Sequence, residues 1–93
     1  MKNKIKELLS TRASEVLYYI WDPIGVNDAP EARDEYDSYI PKIVDAILNG
    51  KDIEAISKML FDIETKSMEL PGNPIKCREV SRLLTNWYSV LKK

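Results

Sequence analysis

An all-α fold, a small antiparallel four-helix bundle with a long irregular first connection, is what this sequence predicts, on three observations. Apolar residues recur at three- and four-residue intervals in four separate stretches. No stretch alternates apolar and polar side chains as a half-buried strand would. The breaks between stretches are short, except the first, which runs from Trp21 to Tyr39 and interleaves turn formers, acids and aromatics.

The first stretch carries Ile5, Leu8, Leu9, Ala13, Val16, Leu17 and Ile20, which predicts a helix from near Lys2 to Trp21. Pro23 disfavours the α conformation at Asp22 and Gly25 follows, so the helix should stop there. Lys2, Lys4 and Lys6 crowd its positive end, where they fray the first turn or meet acids from elsewhere. The second helix has two competing starts. Asp28-Ala29-Pro30-Glu31 reads as a capping box, but a helix running on from there would be kinked by Pro41 at a cost of about 3 kcal/mol. With Ser38 as N-cap, Pro41 falls in the first turn, where its missing N–H costs nothing. The favoured reading is a short helical turn over 31–36, then a helix over 39–48 that buries Ile40, Ile43, Val44, Ile47 and Leu48 and stops at Asn49-Gly50.

Asp52 is the expected cap of a third helix, with Ile53, Ile56, Met59, Leu60 and Ile63 inward and an end near Met68. Leu70-Pro71-Gly72-Asn73-Pro74 breaks the chain. Asn73 then caps a last helix, with Pro74 in its first position and Ile75, Val80, Leu83, Leu84, Trp87, Val90 and Leu91 as its buried stripe.

Composition bounds what such a bundle does. The 93 residues suit one domain, expected to span 1–93, in which roughly 60–65 % of the unfolded chain's surface is buried. At 44 % apolar and 31 % charged residues it is globular rather than disordered. One cysteine, Cys77, excludes an internal disulfide, and no apolar run reads as a secretory signal or membrane span, so the cytoplasm is the expected compartment. Histidine is absent, which removes Ser-His-Asp and Cys-His chemistry and His-built metal sites. The three glycines, far apart, form no phosphate loop. A net charge of −1 speaks against nucleic acid as a partner.

That charge is unevenly spread. Asp22 to Asp37 holds six acids and one arginine, leaving four excess positive charges on the remainder. The string Trp21-Asp22-Pro23-Ile24-Gly25-Val26, followed by Asp34-Glu35-Tyr36-Asp37-Ser38-Tyr39 and Pro41, resembles the signature of a family of small bacterial helical proteins that includes the YugE-like proteins of spore formers. The resemblance implies an all-α fold and brings no catalytic residues or cofactor with it. Some proteins with similar motifs look like immunity or neutralising partners of bacterial toxins, which implies protein binding.

The functional expectation is therefore a non-enzymatic protein-interaction module, with Asp28, Glu31, Asp34, Glu35, Tyr36 and Asp37 as the candidate partner-binding residues and no catalytic or cofactor site. Such an acidic face would dock on a basic partner surface. The alternative is a divalent-cation or small-ligand site in which Asp28, Asp34, Glu35 and Asp37, with the Asn27 amide, supply oxygen ligands, although the EF-hand spacing is missing. Trp21 and Tyr39 are read as anchors of the long connection, and Asp22 as the acceptor of an Asx-type turn. The opposite pole, Lys76, Arg78, Arg82, Lys92 and Lys93 against Glu79, reads as a solvated face. Its Arg78 and Arg82, one turn apart, are the only candidate phosphate grip. Pairing of the two poles between copies would give a homodimer. Cys77, near the stripe of the last helix, is read as an inert buried thiol.

Overall fold

The computed structural model describes residues 2–25, 29–32 and 34–93, and among them there is no strand. Four helices, α1 (Lys2–Val16), α2 (Ile40–Leu48), α3 (Ile53–Asp62) and α4 (Pro74–Leu91), make up the bundle. Two of them run on into single π turns, Leu17–Trp21 after α1 and Ile63–Ser67 after α3. In each the closing hydrogen bond spans five residues, from Asp22 N–H to Leu17 C=O (2.9 Å) and from Met68 N–H to Ile63 C=O (3.0 Å). The first helical stretch therefore does end at Trp21. Asp22 turns the chain out in a left-handed conformation, φ 32°.

The second helix starts later than its expected Ser38 cap. A 3₁₀ turn over Asp37–Tyr39 leads into it, Tyr39 takes the cap position without a side-chain hydrogen bond, and Ser38 is exposed. The proline argument still decides the outcome, because Pro41 sits in the first turn of α2 and no helix runs continuously through it. A separate 3₁₀ turn, Pro30–Ala32, occupies part of the short helical turn expected over 31–36. Asp28, the cap of the alternative start, lies outside the described residues, as do Asn27 and Arg33.

The remaining ends follow local chemistry. Gly50, at φ 82°, closes α2 with N–H bonds from Gly50 to Ile47 and from Lys51 to Ala46, the paired arrangement that satisfies the last carbonyls. Asp52 caps α3 by accepting the Ala55 N–H at 2.9 Å, and Asn73 caps α4 by accepting that of Lys76 at 3.1 Å. Lys6 of α1 meets Asp45 of α2 at 3.1 Å, an exposed pair of small energetic weight.

The core joins Leu9, Ala13, Val16, Leu17 and Trp21 to Ile40, Ile43, Val44 and Ile47, to Ile56, Leu60 and Ile63, and to Cys77, Val80 and Leu84, with Tyr36 entering from the first connection. Two expected stripes need correction. On α4 the inward face is Cys77, Val80, Ser81 and Leu84, with Tyr88 and Leu91 partly buried, whereas Ile75, Leu83, Trp87 and Val90 are exposed. On the first helical stretch Leu8 and Ile20 are exposed. The cause is the same in both: an apolar arc wider than one neighbour can cover leaves its edge in water. Among the described residues no helix is long and apolar enough to cross a membrane.

Candidate functional site

Everything that positions the first connection starts from Trp21. The π turn rotates its indole into the bundle, where it is fully buried and its Nε1–H donates to Glu64 Oε2 at 2.9 Å. Glu64 comes from the second π turn and is itself only 2 % exposed. Its other oxygen, Oε1, accepts the Asn73 backbone N–H at 2.9 Å and the Cys77 thiol at 3.2 Å. One buried carboxyl group therefore ties the end of the first helical stretch to the start of α4, with no lysine or arginine among the described residues paired to it. Burying such a group unbonded would cost several kcal/mol; three donors offset that cost. The sequence carried one sign of it, an acid directly after Leu60 and Ile63 where the apolar stripe should continue.

Above this contact lies a shallow cleft lined by Trp21, Asp22, Pro23, Glu64, the 70–73 segment and Lys76. Gly72 closes it at φ +86°, against the Phe61 ring and the Thr65 methyl. Burial, followed by the hydrogen bond and the charge of Glu64, pushes the Cys77 thiol up to about 12. The native thiol thus keeps its proton where an unfolded one loses it, so this contribution to stability is complete below the ordinary value of 9.0 and is lost as the pH rises towards 12. Two outcomes are expected: a melting temperature that falls between pH 9 and 11 less steeply in Cys77→Ala than in the wild type, and iodoacetamide labelling at pH 8 that is slow until urea unfolds the chain. Rapid labelling of the folded protein would contradict the buried geometry.

On the other side of Trp21 stands Tyr36, its ring 5.4 Å from the indole and only 2 % exposed. Its hydroxyl donates to Asp22 Oδ1 at 2.7 Å and accepts the Ile24 N–H at 3.3 Å. Burial, then the hydrogen bond to Asp22, raises the phenol well above its usual range. One reading is corrected here. Tyr36 is a core residue that pins the connection, and its ring is not part of an exposed recognition face. The Asp22 side chain, read as the acceptor of an Asx-type turn, also accepts from a phenol fourteen residues away. Tyr18 adds a further tie, donating to the Ala29 carbonyl at 2.9 Å, and Tyr39 packs against the core.

The acids of the connection stand outside this frame. Glu31, Asp34, Glu35 and Asp37 are all exposed, and none makes an ion pair among the described residues; Asp28 lies outside them. Asp37 borders a groove against α1 with Glu7, Glu15, Ser10, Thr11 and Ser14, so Glu7, an acid that the linear motif did not include, extends the negative surface, while Glu15 beside it is ion-paired with Arg12. Among the described residues no three cysteine or carboxylate side chains gather within reach of one metal ion. At the opposite pole, Arg78 is ion-paired with Glu54 of α3 in an exposed contact, so it has a competing partner that Arg82 lacks among the described residues. Compared with known protein families, curated proteins and solved structures, the chain has no match.

Proposed function

We propose that the protein acts by binding another protein without catalysis, in the manner of an immunity or neutralising partner, and that the acidic face of residues 31–37 is the recognition surface. What supports this reading is the contrast at Tyr36: the segment's aromatic side chain is locked into the core while Glu31, Asp34, Glu35 and Asp37 around it are exposed and make no ion pair among the described residues. A segment held this way presents charge with little left to order on binding. The buried acid and thiol, by comparison, are engaged with one another inside the fold. The partner surface is basic, and the cytoplasm, where a lone thiol stays reduced, is the compartment proposed for the encounter.

Charge of this kind acts chiefly on encounter rate and is screened by salt. Affinity purification with the wild type and with the Asp34→Lys, Asp37→Lys double variant tests the proposal. The variant is expected to fold with a stability within about 0.5 kcal/mol of the wild type, since both positions are exposed, and to lose the partner. An unchanged set of captured proteins would remove the acidic face as the binding surface.

A further inference from the structure

A second surface carries a different chemistry. Helices α1 and α4 are antiparallel, since Trp21 at the end of the first helical stretch meets Glu64, which in turn bonds Asn73 and Cys77 at the start of α4. Further along the pair the Arg12 guanidinium lies 5.5 Å above the Trp87 ring. One turn back along α1 from Arg12 is Leu8, and one turn forward along α4 from Trp87 is Val90, so the two come level; Leu83 lies one turn the other way. These four large apolar side chains, Leu8, Leu83, Trp87 and Val90, are 42 %, 38 %, 36 % and 52 % exposed. By this register they follow one another along the junction of the two helices as an exposed apolar seam, with a tryptophan and an arginine, the residue types most enriched in binding hot spots, stacked at its middle.

The edges of the seam are basic. Lys4 lies one turn before Leu8, Lys76 and Arg82 flank the α4 side, and Lys93 ends it; none makes an ion pair among the described residues. Against them stands one unpaired acid, Glu79, because Glu15 is already bonded to Arg12 at 3.2 Å. We propose that this seam receives an amphipathic helix with acidic flanks from a partner protein, its apolar stripe on Leu83, Trp87 and Val90 and its acids on the lysine and arginine rim. A second copy of the chain fits less well. A two-fold pairing would set the same basic rim opposite itself. A head-to-tail pairing would offer the 31–37 segment, whose exposed described residues are all acids and bring no apolar stripe.

The probe is a synthetic amphipathic helix about as long as α4, with leucines on one face and glutamates flanking them, beside a counterpart with lysines in place of the glutamates. Titration calorimetry and amide chemical shifts are recorded on the full chain. The acidic peptide is expected to bind, with shifts confined to α1 and α4. Leu83→Asp and Trp87→Ala, at exposed positions and checked for native circular dichroism, should each weaken it roughly tenfold or more. The Asp34→Lys, Asp37→Lys variant should bind the peptide as the wild type does, which separates this seam from the acidic surface proposed above. No binding of the acidic peptide at millimolar concentration, or equal binding of the lysine peptide, overturns the proposal. A concentration-dependent dimer in light scattering that Leu83→Asp abolishes assigns the seam to a second copy and overturns it as well.

Discussion

Trp21→Ala is expected to cost about 3–5 kcal/mol, the usual range for emptying a buried aromatic site, and so to remove a large part of the stability of a domain this size. Two losses combine. The cavity would open among Leu17, Tyr36 and Glu64 at the centre of the molecule, and Glu64 Oε2 would be left buried without its donor. At roughly 4–8 °C per kcal/mol, the melting temperature should fall by about 15 °C or more. Trp21→Phe removes the N–H but leaves a smaller cavity, since a phenyl ring still fills part of the site, so its loss should be the lesser of the two, about 1–3 kcal/mol. Urea denaturation followed by circular dichroism measures both. If Trp21→Ala cost less than about 1 kcal/mol, the indole would not be the anchor that the geometry makes it.

Gly72→Ala should be the second severe substitution, and Gly50→Ala its control. Both glycines have a left-handed backbone, φ +86° and φ +82°. A Cβ at position 50 would meet nothing within 4 Å, whereas one at position 72 would lie 2.5 Å from the Phe61 ring and 2.8 Å from the Thr65 methyl. Both variants carry the conformational penalty, about 1–2 kcal/mol. Only Gly72→Ala adds overpacking, for a total of about 2–4 kcal/mol. Equal losses in the two would mean that Phe61 moves aside at no cost and that the 70–73 segment is not held against the second π turn. Preferential loss in Gly72→Ala would also displace Asn73, and with it one of the three donors to Glu64.

Where a feature rests on neighbours in the chain, the sequence shows it. Asp52 and Asn73 were identifiable as caps because an N-cap is defined within four residues, and Pro41 constrained the start of α2 for the same reason. The start itself shifted past Ser38 because a 3₁₀ turn over Asp37–Tyr39 brings the chain into the helix without needing a side-chain cap. Periodicity cannot count neighbours. It marked Leu83, Trp87 and Val90 as core along with Val80 and Leu84, yet their flank of α4 stays partly exposed, with the Arg12 side chain lying over the Trp87 ring. The candidate site was legible in its charges and not in its aromatic residue. Tyr36 sits among acids at Asp34, Glu35 and Asp37, and only its long-range contacts with Trp21 and Asp22 show that it faces inward. Glu64 was hidden for a similar reason, because its partners lie nine, thirteen and forty-three residues away.

Those separations also bear on the order in which the molecule assembles. The bonds from Asn73 and Cys77 to Glu64 close short loops within α3, the second π turn and α4, and loops of that length form early. The bond from Trp21 closes a span of forty-three residues and is expected to form later, as α1 joins that hairpin. Contacts completed after the rate-limiting barrier change how fast a protein comes apart rather than how fast it comes together. The Trp21–Glu64 bond is thus the latch of this bundle: its removal should leave the refolding rate nearly unchanged and appear almost wholly as faster unfolding.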